Sequence, residues 1–119
     1  MKDIKLGAIE SKFADIIWDQ EPLKVGELFK MAEKELGWKR QTSYTILNRM
    51  CEKGLFQKEN RVVTSLISRE EFYSRQSEQF VEETFDGSLP AFLAAFGHRK
   101  KLSGEEIDEL KRVIENMRR

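Results

Sequence analysis

Apolar residues recur at helical spacing through the first fifty positions, and past Gly54 the period shortens to that of strands. That switch constrains the fold more than any other feature of the chain. Ile9, Phe13, Ile16 and Ile17 make one face of a first helix. Asp19-Gln20-Glu21-Pro22 ends it, because proline disfavours helix in the residue before it. Val25, Leu28, Phe29, Ala32 and Leu36 define a second helix that stops at Gly37. A third runs from Arg40 to Lys53, with Ser43, Ile46, Leu47 and Met50 inward and Gly54 closing it. Leu55–Lys58 and Val62–Leu66 are short strands around Glu59-Asn60-Arg61, where Asn60 best tolerates the positive φ of a tight turn. Three helices followed by a hairpin, with a short glycine-containing link between the second and third, is the order of a winged helix-turn-helix domain.

The second half is all helix. Ser68-Arg69-Glu70-Glu71 is a capping box that opens a helix to Phe85, and Asp86-Gly87-Ser88 breaks it. Leu89, Phe92, Leu93 and Phe96 follow at i, i+3, i+4 and i+7, with Pro90 in the first turn, where no donor is lost. Ser103-Gly104-Glu105-Glu106 opens a last helix whose Ile107, Leu110, Ile114 and Met117 form a narrow stripe. A segment this short rarely builds a stable core alone, so a second copy is expected to cover it, with folding back on the N-terminal domain as the alternative. The expected fold is mainly α (α+β): a winged-helix DNA-binding domain over residues 1–68 and a three-helix dimerisation arm over 69–119. Phe80, Leu89, Phe92, Leu93, Phe96, Ile107, Leu110 and Ile114 are the expected homodimer contacts.

Formal charge sums to zero over 21 basic and 21 acidic residues, yet it is segregated along the chain. Residues 38–61 hold six basic side chains against two acidic ones, whereas 70–119 hold eight against eleven. A local basic patch is what contact with phosphates needs. The third helix is the expected recognition helix, with Gln41, Thr42, Tyr44, Thr45, Asn48, Arg49 and Glu52 on its outer face. Gln41 suits a two-atom contact to adenine, and Thr42 and Thr45 suit base edges or the thymine methyl. Lys39, Arg40 and Arg49 suit phosphates, as does Arg61 at the hairpin tip, which also has reach to the minor groove. The expected partner is double-stranded operator DNA. A winged-helix protein-interaction module is the alternative, and the basic third helix weighs against it.

Other classes find little support. One cysteine, Cys51, allows no internal disulfide, and it reads as a half-buried core residue. A single histidine, His98, leaves too few ligands for a closed zinc site, and it sits in Gly97-His98-Arg99-Lys100-Lys101, which reads as a solvated linker. There is no glycine-rich phosphate loop and no Gly-x-Ser-x-Gly, so neither an enzyme, a cofactor nor a metal is expected. No apolar run approaches the ~20 residues of a membrane span, and Met1-Lys2-Asp3-Ile4-Lys5 does not open a signal peptide, so a cytoplasmic location is expected.

The stretch Thr42-Ser43-Tyr44-Thr45-Ile46-Leu47-Asn48-Arg49-Met50-Cys51-Glu52-Lys53-Gly54-Leu55 resembles the recognition helix of the penicillinase and methicillin-resistance repressor family. Ile17-Trp18, Leu66–Phe72, Gly87-Ser88-Leu89 and Leu102–Leu110 resemble that family in the same order and register. The resemblance implies a winged-helix homodimer on a palindromic operator, repressing genes for β-lactam resistance or a related stress response. It implies that the positions of Gln41, Thr42 and Thr45 lie at the DNA. It also implies release through a membrane sensor and proteolysis at an Asn-Phe bond in the arm, a position held here by Ala95-Phe96. Ala95 in place of asparagine, a short hairpin and Arg40 in place of a proline depart from the pattern. The paired Cys-x-Cys motifs of a copper-responsive branch are absent.

Overall fold

A computed structural model describes residues 6–119; the N-terminal reading of Met1–Lys5 lies outside them. The elements in chain order are α1 (Ala8–Gln20), β1 (Leu23–Lys24), α2 (Val25–Leu36), α3 (Arg40–Glu52), β2 (Phe56–Glu59), β3 (Val62–Ser65), α4 (Arg69–Phe85), α5 (Leu89–Arg99) and α6 (Gly104–Asn116). They fall into two compact units, one through Ser77 and one from Glu78.

In the first unit α1 to α3 and an antiparallel sheet of order β1-β3-β2 enclose one core. Phe13, Ile17, Leu28, Leu47, Met50, Phe56, Val63 and Phe72 are fully or almost fully buried there. This is the winged-helix order expected from the apolar spacing. Two inward assignments differ. Ile9 is 49% exposed, and the buried face of α1 is Phe13, Ala14, Ile16 and Ile17. Ile46 is half-buried at the core edge.

The link between α2 and α3 is closed by Gly37 in the left-handed region, φ 69°, which returns its N–H to Glu33 O while Trp38 N–H donates to Ala32 O. Trp38 then lies against Phe13, ring centres 5.0 Å apart, and this contact ties the turn to the core. The hairpin turn is Asn60-Arg61, with φ 51° and 64°. Glu59 pairs with Val62 across it, so this is a two-residue loop with both residues left-handed, the twist that suits antiparallel strands. β1 was not expected: its two residues are too few to show a period. Leu23 is buried opposite Val63, and the Glu21 carboxylate accepts from Ser65 N–H at 2.8 Å and from its hydroxyl, fixing this edge.

α4 opens at Ser68, whose hydroxyl accepts from Glu71 N–H; the Glu71 carboxylate accepts from Arg75. In the second unit Ser103 and Glu106 form the reciprocal cap of α6, and the Ser88 hydroxyl accepts from Ala91 N–H to start α5. Phe80, Phe85, Phe92 and Phe96 form a ring cluster with centres 5.6–6.2 Å apart. His98 and Arg99 continue α5 instead of forming a linker, since Gly97 does not stop the helix and Lys100 N–H still reaches Phe96 O.

Candidate nucleic-acid interface

The eight residues expected at DNA are all exposed. Lys39 is the N-cap of α3, and Arg40, Gln41, Thr42, Tyr44, Thr45 and Arg49 follow along its outer side, leaving Ser43, Leu47 and Met50 buried on the other. That division follows from 3.6 residues per turn: positions 43, 47 and 50 stack on one face, so 41, 42, 44, 45 and 49 cannot.

A broad open groove of about 1380 Å³ runs between the start of α2, the start of α3 and the hairpin. Arg40, Gln41, Tyr44 and Arg61 line it. Lys39, Thr42, Thr45 and Arg49 are not among its lining residues and lie elsewhere on the exposed side of α3. Lys24, Lys30, Lys58 and Asn60 also line it, and none of the four was among the residues expected at DNA. The groove therefore gathers five cations, Lys24, Lys30, Arg40, Lys58 and Arg61, against one carboxylate, Glu27. Two of the cations are held in place by aromatic faces. The Arg40 guanidinium lies 5.4 Å from the Phe29 ring centre, and the Lys58 ammonium lies 5.3 Å from that of Tyr44 and 3.5 Å from Asn48 Oδ1. Cations ordered in advance lose less side-chain entropy when a polyanion arrives.

The backbone adds to the same wall. α2 begins there without a side-chain cap, so its positive dipole end lies at the groove. Val25 N–H donates to Arg61 O at 2.9 Å and ties the hairpin tip to the helix. Arg61 sits at a left-handed turn position that favours asparagine or glycine. Arg49 has a partner of its own, with Nη1 donating to Glu10 Oε2 at 3.3 Å, while Glu10 Oε1 accepts from Gly7 N–H at the start of α1.

Among the described residues no group of His, Cys, Asp or Glu is arranged to hold a metal ion. Cys51 is half-buried, and burial pushes its thiol above the ordinary range, with the Lys58 charge opposing. No helix among the described residues is long and apolar enough to cross a membrane.

The residues expected in the dimer contact lie on three helices. Phe80 is on α4, Leu89, Phe92, Leu93 and Phe96 on α5, and Ile107, Leu110 and Ile114 on α6. Phe80, Leu89, Phe96, Ile107 and Ile114 are exposed, and Phe92, Leu93 and Leu110 are half-buried. A shallow apolar groove of about 380 Å³ is bounded by Phe92, Leu93, Phe96, Leu102, Leu110 and Val113 with Glu106 and Glu109. The Ala95-Phe96 bond lies inside α5 with both residues exposed.

Comparison with known proteins agrees with the winged-helix fold. A family model described as penicillinase repressor matches residues 6–116. The penicillinase repressor of Bacillus licheniformis is 30% identical over 120 residues, spanning 97% of this chain and 94% of that protein. The methicillin resistance regulatory protein MecI of Staphylococcus aureus (strain Mu50 / ATCC 700699) is 22% identical over 117 residues, 95% of each chain. Among solved structures, the monomeric form of Bacillus licheniformis BlaI in complex with the blaP half-operator superposes with a TM-score of 0.50 at 29% identity. The match covers 60% of this chain and 93% of that one.

Proposed function

We propose, from the premise that the chain belongs to the penicillinase repressor family, that it is a cytoplasmic transcriptional repressor acting as a homodimer on a palindromic operator. The observation that carries this is the groove: five cations converge beside the exposed first turns of α3, on a chain whose formal charge is zero. A solvated surface has no need to order Arg40 and Lys58 on aromatic rings beside a hairpin tip. Residues 1–68 read DNA in this proposal and 69–119 dimerise.

Within the interface Gln41, Thr42 and Thr45 face base edges, and Lys39, Arg40, Tyr44, Arg49 and Arg61 contact the backbone together with Lys24, Lys30 and Lys58. Repression of β-lactam resistance or a related stress response is the regulatory role proposed, in line with the names of the relatives. Release by cleavage at Ala95-Phe96 is not part of the proposal, because alanine stands where the resemblance places asparagine.

The test is fluorescence anisotropy with a duplex selected from random-sequence DNA by the full-length protein, against an unrelated duplex. Specific binding is expected to be tighter by a factor of about 10³ or more. Gln41→Ala is expected to narrow that gap by about 1–3 kcal/mol while sparing non-specific affinity. Absence of DNA binding at low salt would sink the proposal and favour a protein-interaction module.

A further inference from the structure

We propose that Glu10 is a positioning residue that holds Arg49 ready for a phosphate of the DNA strand opposite the one met by the basic groove. This rests on the DNA-binding reading above. All the residues concerned lie within the first unit.

Arg40 and Arg49 are nine positions apart on α3. At about 100° per residue they point to opposite sides of the helix, about 180° apart. Gln41 and Thr45 lie between them on the exposed side, and Ser43, Leu47 and Met50 on the buried side. The groove and its five cations belong to the Arg40 side. Arg49 does not line that groove and faces the start of α1 instead. A helix that sets its outer face into a major groove about 12 Å wide has one phosphate backbone on each flank. The groove cations serve one flank, and Arg49 serves the other.

Glu10 is built to hold that arginine. It precedes Phe13, Ala14 and Ile17 by three, four and seven positions, so it sits at the edge of the buried face of α1. Its Oε1 accepts from Gly7 N–H at 3.2 Å, and its Oε2 accepts from Arg49 Nη1 at 3.3 Å. The Glu10 side chain is 24% exposed and that of Arg49 51%, so the carboxylate is the fixed partner and the guanidinium the held one. The bond to Glu10 uses Nη1 alone; among the described residues Nε and Nη2 make no hydrogen bond. That edge is the one able to give two parallel bonds to a phosphate. An arginine ordered beforehand loses less side-chain entropy when the phosphate arrives.

The carboxylate's own charge opposes a phosphate, so charge alone predicts that removing it strengthens binding. Glu10→Gln separates charge from positioning. The glutamine oxygen stays on Gly7 N–H, and its amide NH2 then meets Arg49 donor to donor.

The test uses the full-length wild type, Glu10→Gln, Arg49→Met, the double variant and Lys58→Met. Anisotropy is measured against salt on a duplex carrying one half-site of the selected sequence. The same duplex is also made with methylphosphonates, which carry no charge, on one strand or on the other. Arg49→Met is expected to flatten the salt slope by about 0.9 in the wild-type background and by less than about 0.3 in the Glu10→Gln background. Arg49→Met and Glu10→Gln are expected to lose sensitivity to methylphosphonates on one strand, and Lys58→Met to those on the other. Equal effects of Arg49→Met in both backgrounds, or a larger one with Glu10→Gln, would overturn the proposal; the larger effect would mean that Glu10 masks the cation. Glu10→Gln losses shared by both strands would overturn it too, leaving a stabilising contact only. A wild type without affinity for any duplex at low salt would overturn the DNA-binding reading itself, and this proposal with it.

Discussion

Lys58 offers the sharpest check on the groove, because the sequence shows it only as one charge in a basic stretch and the fold places it in the wall. Replacing it with methionine keeps an unbranched side chain over the Tyr44 ring and removes the ammonium. The cost in stability should be at most about 1 kcal/mol, the size of an exposed cation–π contact. The 3.5 Å approach to Asn48 is too long to add much. The effect on DNA should be larger and of a particular kind. Each phosphate neutralised contributes about −0.9 to the slope of log affinity against log salt. If all five groove cations meet phosphates, a half-site loses about 500-fold between about 50 and 200 mM salt. Lys58→Met should remove one contact and cut that loss by about 3.5-fold, to about 150-fold. The loss of affinity should be the same on operator and unrelated duplex, since a phosphate carries no sequence information. Anisotropy titrations at several salt concentrations measure both slopes. Parallel salt plots for the variant and the wild type would refute the assignment of Lys58 to the backbone. A loss confined to operator would mean that it reads a base.

Arg61→Gly should raise stability by about 1 kcal/mol, since the turn position is left-handed, and should lower DNA affinity at the same time; urea midpoint and affinity falling together would contradict this. Trimming Leu110 and Ile114 to alanine should turn the dimer into a monomer in sedimentation and weaken palindrome binding more than half-site binding, and an unchanged dimer would place the interface elsewhere. Ser43→Ala should gain about 1 kcal/mol in urea unfolding, because the buried hydroxyl has no hydrogen-bond partner among the described residues; a clear loss would mean that the hydroxyl is satisfied. Cys51 should react with iodoacetamide more slowly in the folded chain than in urea at mildly alkaline pH, because a raised pKa leaves less thiolate, and equal rates would refute that environment.

Helices were legible where burial imposes a period. Phe13, Ile16 and Ile17, then Leu28, Phe29 and Ala32, fixed α1 and α2 because one face of each meets the core. Gly37 and Asn60 were readable as chain reversals because few residues adopt positive φ cheaply. What escaped was whatever the local pattern does not encode. β1 is two residues long, and its pairing with β3 is a long-range event. Lys24 and Lys30 look like ordinary solvated surface residues along the chain; only the packing of α2 beside α3 and the hairpin turns them into a wall of the groove. Lys58 was visible as one charge in a basic stretch, but the aromatic face that orders it belongs to another element. The clasp around Arg69 joins it to Asp15 and Asp19, 54 and 50 positions away, and no spacing rule connects them.

The residues that depart from what stability would choose are not scattered. Arg61 occupies a turn position that costs an L-residue about 1–2 kcal/mol, and it does so where the hairpin tip enters the basic groove. Phe96, Val113 and Ile114 are about half exposed in a unit whose helices α5 and α6 contain no buried residue at all. An arginine that strains its turn is retained if the charge at that point is worth more than the strain, which is the case at a phosphate and nowhere on a plain solvated surface. Apolar side chains left open on amphipathic helices are retained if another surface covers them in the working state. Both departures have the same remedy, a partner: a polyanion for the first and an apolar face for the second. A monomer alone in solution supplies neither, and a pair of chains seated on duplex DNA supplies both.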